Sequence, residues 1–212
     1  QLSASEEFLW QLKRHDGDWG HPNVGLWSLE TGLSWVSTVE ISSFGSWRWS
    51  PDERQCATWH GQLAAVVQDG HLVAQMDARE PIVDVSWSSD GIQLATACGQ
   101  RIDVWNVKSS AITRTHQHEE TITAISWLSG DRFALGTRAG EIHYWSPLDD
   151  RSKAVLTQNA GNSVIRVAPS PDGQFLACCF QNAHYVRILD TGNGTLVRTL
   201  STDQPQMELA WL

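Results

Sequence analysis

Tryptophan recurs in this chain at a spacing that few folds can accommodate. The 212 residues hold twelve indoles. Five of them close an apolar run at near-equal intervals: Trp10, Trp49, Trp87, Trp127 and Trp211, with Ala168 standing in once. The steps are 39, 38, 40, 41 and 43 residues. A second anchor trails each of the first. Trp27, Trp105 and Trp145 lie 17, 18 and 18 residues on, and Val66 and Leu189 take that place 17 and 21 residues after Trp49 and Ala168. Eight of the twelve indoles therefore obey one period. An indole is costly to leave on a surface, so a regular spacing of buried indoles marks a repeated structural unit. Trp19, Trp35 and Trp47 break the period, and the sequence does not decide between packing and exposure for them.

The punctuation between anchors recurs as well. The first run closes with "WSPDER" (49–54), "WSSDGI" (87–92), "WLSGDR" (127–132) and "APSPDGQ" (168–174). Ser, Pro, Asp and Gly supply tight turns there through preset φ, side-chain-to-backbone bonds and tolerance of positive φ. A short apolar run follows each turn: "QCATW", "QLATA", "RFALG" and "FLACCF". A third run ends at the second anchor, as in "RIDVW", "EIHYW" and "YVRIL", and a fourth closes the unit, as in "HLVAQM", "AITRTH" and "TLVRTL". Each unit thus predicts four short strands in about 40 residues, the period of propeller blades. Inner strands such as "IVDVSW" and "ITAISW" are almost continuously apolar, as strands covered on both faces must be. Proline stays at turns and run edges, as strands require.

On these residues the chain resembles the WD40-repeat β-propeller family over essentially all its length. The matching motifs are the "SPDG" turn (170–173), its variants at Ser50–Asp52 and Ser88–Gly91, and the third-strand endings "WS" (27–28), "WN" (105–106), "WS" (145–146) and "LD" (189–190). The resemblance implies an all-β fold with four-stranded antiparallel blades, about five in this chain. The units are expected at 5–40, 41–78, 79–117, 118–158 and 159–202, with the start of a further blade at 203–212. Departures from the family are equally legible. No unit carries the opening Gly-His pair, and only Leu189-Asp190 keeps the terminal Asp. Gly99-Gln100, Ala139-Gly140 and Asn182-Ala183 replace the Asp usual before the third strand. The family's His–Ser–Trp–Asp hydrogen-bond network is therefore expected to be largely missing, leaving aromatic burial to carry blade stability. The first unit is the most degenerate, because its second strand must come from "HDGDWGHPNV" (15–24). WD40 rings usually close with seven blades, so five and a fraction, beginning on Gln, are expected to be a piece of a larger ring.

Composition narrows the function. Net charge is −9 with a pI near 5.2, which argues against a reader of nucleic-acid phosphates. No run approaches the ~18 apolar residues of a membrane-spanning helix, and "QLSASEEFLW" has no signal-peptide pattern. Cys56, Cys98, Cys178 and Cys179 show no metal spacing and fall in predicted strands. They read as small buried hydrophobes in a reducing, cytoplasmic compartment.

Few residues invite chemistry. "HQHEE" (116–120) offers His116, His118, Glu119 and Glu120 in one blade-to-blade connection, compatible with a borderline metal such as zinc, but no distant further ligand can be nominated. His15, Asp16 and His21 sit in the weakest unit. No G-x-S-x-G elbow or phosphate-cradling glycine loop occurs. Asp103 and Glu141 read as equivalent third-strand positions a blade apart, too distant for paired acid–base work. The expectation is a non-catalytic scaffold with no cofactor, binding a protein or peptide through one face of the propeller. A metal-linked binding protein and, more distantly, an enzyme with its site at the channel mouth are the alternatives. The connections on that face should present Trp59, His60, Arg79, Gln100, Arg101, His118, Glu119, Arg138, Gln181 and His184. Amphipathic residues and Arg at a rim are the usual material of peptide-binding hot spots.

Overall fold

The computed structural model describes strand backbones at 8–13, 23–28 and 34–36, residues 46–205 except 69–70, 130, 147–150 and 157–161, and residues 209 and 211. Every described element is a strand. The first sheet holds β1 (Phe8–Lys13), β2 (Asn23–Ser28) and β3 (Ser34–Val36) in that order. The second holds β4 (Ser46–Trp49), β5 (Gln55–His60), β6 (Leu63–Gln68) and β7 (His71–Asp77). The third holds β8 (Ile82–Trp87), β9 (Gln93–Cys98), β10 (Arg101–Asn106) and β11 (Ala111–Gln117). The fourth holds β12 (Ile122–Leu128), β13 (Arg132–Thr137), β14 (Ile142–Ser146) and β15 (Arg151–Leu156). The fifth holds β16 (Val164–Pro169), β17 (Phe175–Phe180), β18 (Tyr185–Asp190) and β19 (Leu196–Ser201). All pairings are antiparallel between sequence neighbours. The inner strands β4, β8, β12 and β16 lie beside one another in chain order, so the sheets follow one another as blades.

The Ser–Asp turns set the register of each blade. In the second, third and fifth sheets a Ser hydroxyl donates to the Asp two residues on (Ser50–Asp52, Ser88–Asp90, Ser170–Asp172). The same hydroxyl accepts the N–H of Gln55, Gln93 or Phe175, each at 2.9 Å. These bonds align Trp49, Trp87 and Pro169 opposite Cys56, Leu94 and Leu176. The fifth unit's anchor is therefore Pro169 and not Ala168. Likewise Val67, not Val66, faces Cys56 as Trp105 faces Leu94. Both corrections are slips of one residue, made by aligning apolar runs instead of the turn that pins them. In the first sheet β1 pairs directly with β2, with Leu9 opposite Trp27 as Leu94 is opposite Trp105. Phe8–Lys13 thus holds the second-strand place, and Trp10 does not close an inner strand. The Gly-, Pro- and Asp-rich stretch expected to form that strand falls mostly on 14–22, outside the described residues.

Between blades, large side chains of one sheet share buried clusters with alanines of the sheet before it. Trp87, Leu94 and Trp105 of the third sheet bury against Ala57, Ala64 and Ala74 of the second. Trp127, Phe133 and Trp145 of the fourth cover Ala95 and Ala97 of the third. Val164, Val167 and Phe180 of the fifth cover Ala124 and Ala134 of the fourth. The third and fourth sheets, with a neighbour on either side, are apolar on both faces. The indoles also bond across blades. Trp87 Nε1 donates to the Arg48 carbonyl and Trp211 Nε1 to that of Ala168, both at 3.0 Å and at equivalent positions. Burial fades outward: β9 and β13 are almost wholly covered, whereas β19 is exposed throughout. The four cysteines are free and buried. Trp35 lies on β3 opposite Leu26, Trp47 is half-buried on β4, and Trp19 is outside the described residues.

Candidate interaction surface

Each blade has two segments at one end: the turn between its second and third strands, and the connection to the next inner strand. Backbone bonds tie them together. Ala78 N–H donates to the Gln62 carbonyl (2.9 Å) and Ile82 N–H to Gly61 (2.7 Å). His118 N–H donates to Gln100 (2.7 Å) and Ile122 N–H to Gly99 (2.8 Å). Arg138 N–H donates to Thr121, Gln181 N–H to Ser163 and Thr202 N–H to His184, each at 2.8 Å. The turns need left-handed backbone, which Gly61 (φ 54°) and Gly99 (φ 58°) supply without strain. Arg79 and Asn182 adopt it too, and Arg79 is held there by its N–H bond to the Asp77 carboxylate at 2.8 Å.

This wiring gathers His60, Arg79, Gln100, Glu119, Arg138, Gln181 and His184 at one end of the blades with exposed side chains. Gln100 Nε2 also donates to the Glu119 carbonyl at 2.6 Å, linking a turn to the neighbouring connection. Three other residues expected on the rim serve the scaffold instead. Trp59 is only 6% exposed and belongs to the core between the second and third sheets, because it lies on the same strand face as Ala57. Arg101 is half-buried: its Nε donates to Asp103 Oδ2 at 2.9 Å and its Nη2 to the Ala78 carbonyl at 3.0 Å. The bond to Asp103 raises the Arg101 pKa, and the pair clamps the third blade to the end of the second. His118 is buried at the blade junction.

The histidine pair of the 116–120 connection is engaged with aromatic neighbours. His116 stacks on Trp145 with ring centroids 4.3 Å apart, and His118 meets His143 edge-on at 4.6 Å. Among the described residues no three His, Cys, Asp or Glu side chains are disposed to hold a metal ion. His15, Asp16 and His21 lie outside the described residues.

The carboxylates also occupy places other than those expected. Trp105 and Trp145 are equivalent, so Asp103 corresponds to His143 and Arg101 to Glu141; Asp103 and Glu141 are not equivalent. Both pairs bond between residues two apart, since His143 Nε2 on β14 donates to Glu141 Oε2 just before that strand at 2.9 Å. Asp103, 1% exposed, further accepts Thr115 Oγ1 at 2.7 Å. One polar bond survives where the wiring of the family was expected to be lost, because Trp105 Nε1 donates to Thr96 Oγ1 at 3.0 Å.

The reading of "IVDVSW" as nearly continuous apolar strand missed Asp84. This carboxylate, 5% exposed, accepts Arg48 Nη2 at 2.9 Å, the Ile125 N–H at 3.0 Å and its neighbour Val85 N–H. It joins three successive blades at their inner strands. The signal was available, since a lone acid inside a buried run requires a partner.

No family model matches the chain. One curated protein it resembles is the mRNA export factor of Danio rerio, 32% identical over 62 residues, which is 29% of this chain and 17% of that protein. Among solved structures, a chain of the crystal structure of a mitotic checkpoint complex superposes with a TM-score of 0.71 over 86% of this chain, at 20% identity. The alignment covers 59% of that solved chain, so this sequence spans well under the full length of both. The fold is that of a WD40-like β-propeller. The propeller sheets hold their turn-bearing end rigid through the backbone bonds above, and the exposed side chains there vary from blade to blade in charge and size.

Proposed function

We propose that this propeller is a non-catalytic WD40-type interaction module whose partner is a protein or extended peptide docked across the turn-bearing end. The observation that carries the reading is the gathering of Arg79, Gln100, Glu119, Arg138, Gln181 and His184, all exposed, on backbone segments bonded to one another. Preorganised side chains lose little entropy on binding, which is how a rigid scaffold gains affinity. Residues with catalytic capacity support the same reading by their placement: Asp84 and Asp103 are consumed by internal bonds, and the buried cysteines are held as thiols. The similarity to a chain of a multi-protein assembly and to an mRNA export factor agrees with a role in assembly.

The test is in-cell cross-linking followed by mass spectrometry, comparing the native chain with a variant carrying Arg79→Glu, Glu119→Lys and Arg138→Glu. A second variant reverses the opposite end (Glu53→Lys, Lys108→Glu). The rim variant should lose cross-linked partners while retaining native circular dichroism, and the second should keep them. Retention by the rim variant with loss in the second would move the docking surface to the other end.

A further inference from the structure

An aromatic ladder runs from the inner strands of the fourth blade to the connection 117–121. Trp127 contacts Phe133 (4.4 Å between centroids), Phe133 contacts Trp145 (5.0 Å), and Trp145 carries His116. His116 lies 6.1 Å from His118, which in turn meets His143. Three imidazoles are thus packed together where the third blade hands over to the fourth, two of them no more than 7% exposed. Packing alone would favour apolar rings at this place, so the choice of three titratable ones has a consequence at acid pH.

His118 is the pivot. An amide can only donate, so the Glu120 N–H at 3.0 Å makes His118 Nδ1 an acceptor and leaves the ring proton on Nε2. The groups facing His118 are His116 and Glu119 from its own segment, His143 with Glu141 behind it from β14, and the neutral amide of Gln100 across the turn. We propose that the three histidines form a proton-operated latch on the connection 117–121: neutral His118 pins it, and protonated His118 releases it. A proton on Nδ1 turns the acceptor of the Glu120 N–H into a second donor facing it. The Glu120 carbonyl, 3.2 Å from Nδ1, is already within bonding distance of the new proton, so the ring keeps a partner while the Glu120 N–H loses its acceptor. The new charge also lies in a desolvated site against two further imidazoles. Burial is the largest cause holding the His118 pKa below its ordinary 6.5, with His143 and His116 acting in the same direction and the Glu120 and Glu119 contributions opposing them.

The sign follows. A folded-state pKa below 6.5 means that the unfolded or released segment binds the proton more readily. The latch therefore holds fully above pH 6.5 and weakens as pH falls below it towards the folded midpoint. Each pH unit between that midpoint and 6.5 corresponds to about a tenfold loss of protection. The inference stands apart from partner docking, because its readout is the connection itself.

The experiment follows the His118 Cε1–H resonance and the Glu120 amide exchange of the whole chain by NMR from pH 7.5 to 5.0, with exchange expressed as protection over the free peptide. The Glu120 protection should fall in step with His118 titration, about tenfold for each pH unit between 6.5 and the His118 midpoint, while protection of Leu135 in β13 stays constant. His118→Asn, whose Oδ1 can take the Nδ1 place without titrating, should keep the protection at both ends of the range. His143→Gln should move the His118 midpoint up and reduce the loss, and it serves if the Asn variant does not fold. Constant Glu120 protection in the native chain, or an undiminished pH dependence in either variant, overturns the latch.

Discussion

Replacing Gly136 by Ala tests the interlock between the fourth and fifth blades. A Cβ built on Gly136 lies 2.3 Å from Val164 Cγ1 and 2.6 Å from Val164 Cβ. Ordinary contact begins near 3.4 Å, so relief needs a relative shift of about 3.4 − 2.3 = 1.1 Å. Val164 cannot supply this by rotating, because it is fully buried and starts the inner strand β16 among Ala124, Phe180 and Ile142. The backbones must part instead. Overpacking of this kind costs about 1–3 kcal/mol, which for a chain of this size lowers the melting temperature by about 2–4 °C per kcal/mol. Val164→Ala alone removes two buried methyl groups and costs about 1–3 kcal/mol in lost transfer and cavity energy. In the double variant the tightest contact, with Cγ1 at 2.3 Å, is gone and only the Cβ of residue 164 at 2.6 Å remains to be relieved, so the backbones part by less than in Gly136→Ala alone. The pair should therefore be more stable than the sum of the two by about 1 kcal/mol or more. Urea unfolding followed by tryptophan fluorescence and circular dichroism measures all four proteins. A Gly136→Ala variant as stable as the native chain, or strictly additive effects, would refute large-into-small packing at this junction.

Other consequences can be checked with the same methods. Asp84→Ala leaves the Ile125 N–H and Arg48 Nη2 without their acceptor and should destabilise by about 2 kcal/mol or more, whereas surface Asp203→Ala should be silent. Trp105→Phe forfeits the bond to Thr96 and should cost about 1 kcal/mol beyond the lost indole area. The thiols of Cys56, Cys98 and Cys179 are pushed up to about 12, 11 and 11 by burial, and that of Cys178 still further, so all four should resist a thiol reagent at pH 8 until urea unfolds the chain. Early labelling of one cysteine would mark its blade as locally open. The Ser88 bond holds the Asp90 carboxyl below its ordinary 3.8. Its stabilisation should therefore be present above pH 3.8 and be lost as pH falls towards the folded value, a slope that Asp90→Asn should flatten in acid melts.

The units, their four-strand content and their turns could be read from the residues, because those signals are local. A Ser–Asp turn closes within about six residues, and strand alternation needs only its own pattern. Even the slips at Ala168 and Val66 arose where an apolar residue stood beside the true anchor and nothing local but the turn hydroxyl could choose between them. What lies on each face of a blade belongs to residues some forty positions away. Trp59 is core and not rim because it belongs to the buried cluster that the second and third sheets form together. Arg101 is a clamp because Asp103 and the Ala78 carbonyl reach it. Asp84 holds three blades through groups 36 and 41 residues distant. The sequence by itself determined that this protein stacks four-stranded sheets; only the tertiary structure decided which polar side chains are left to meet a partner, because exposure is a property of the neighbour and not of the residue.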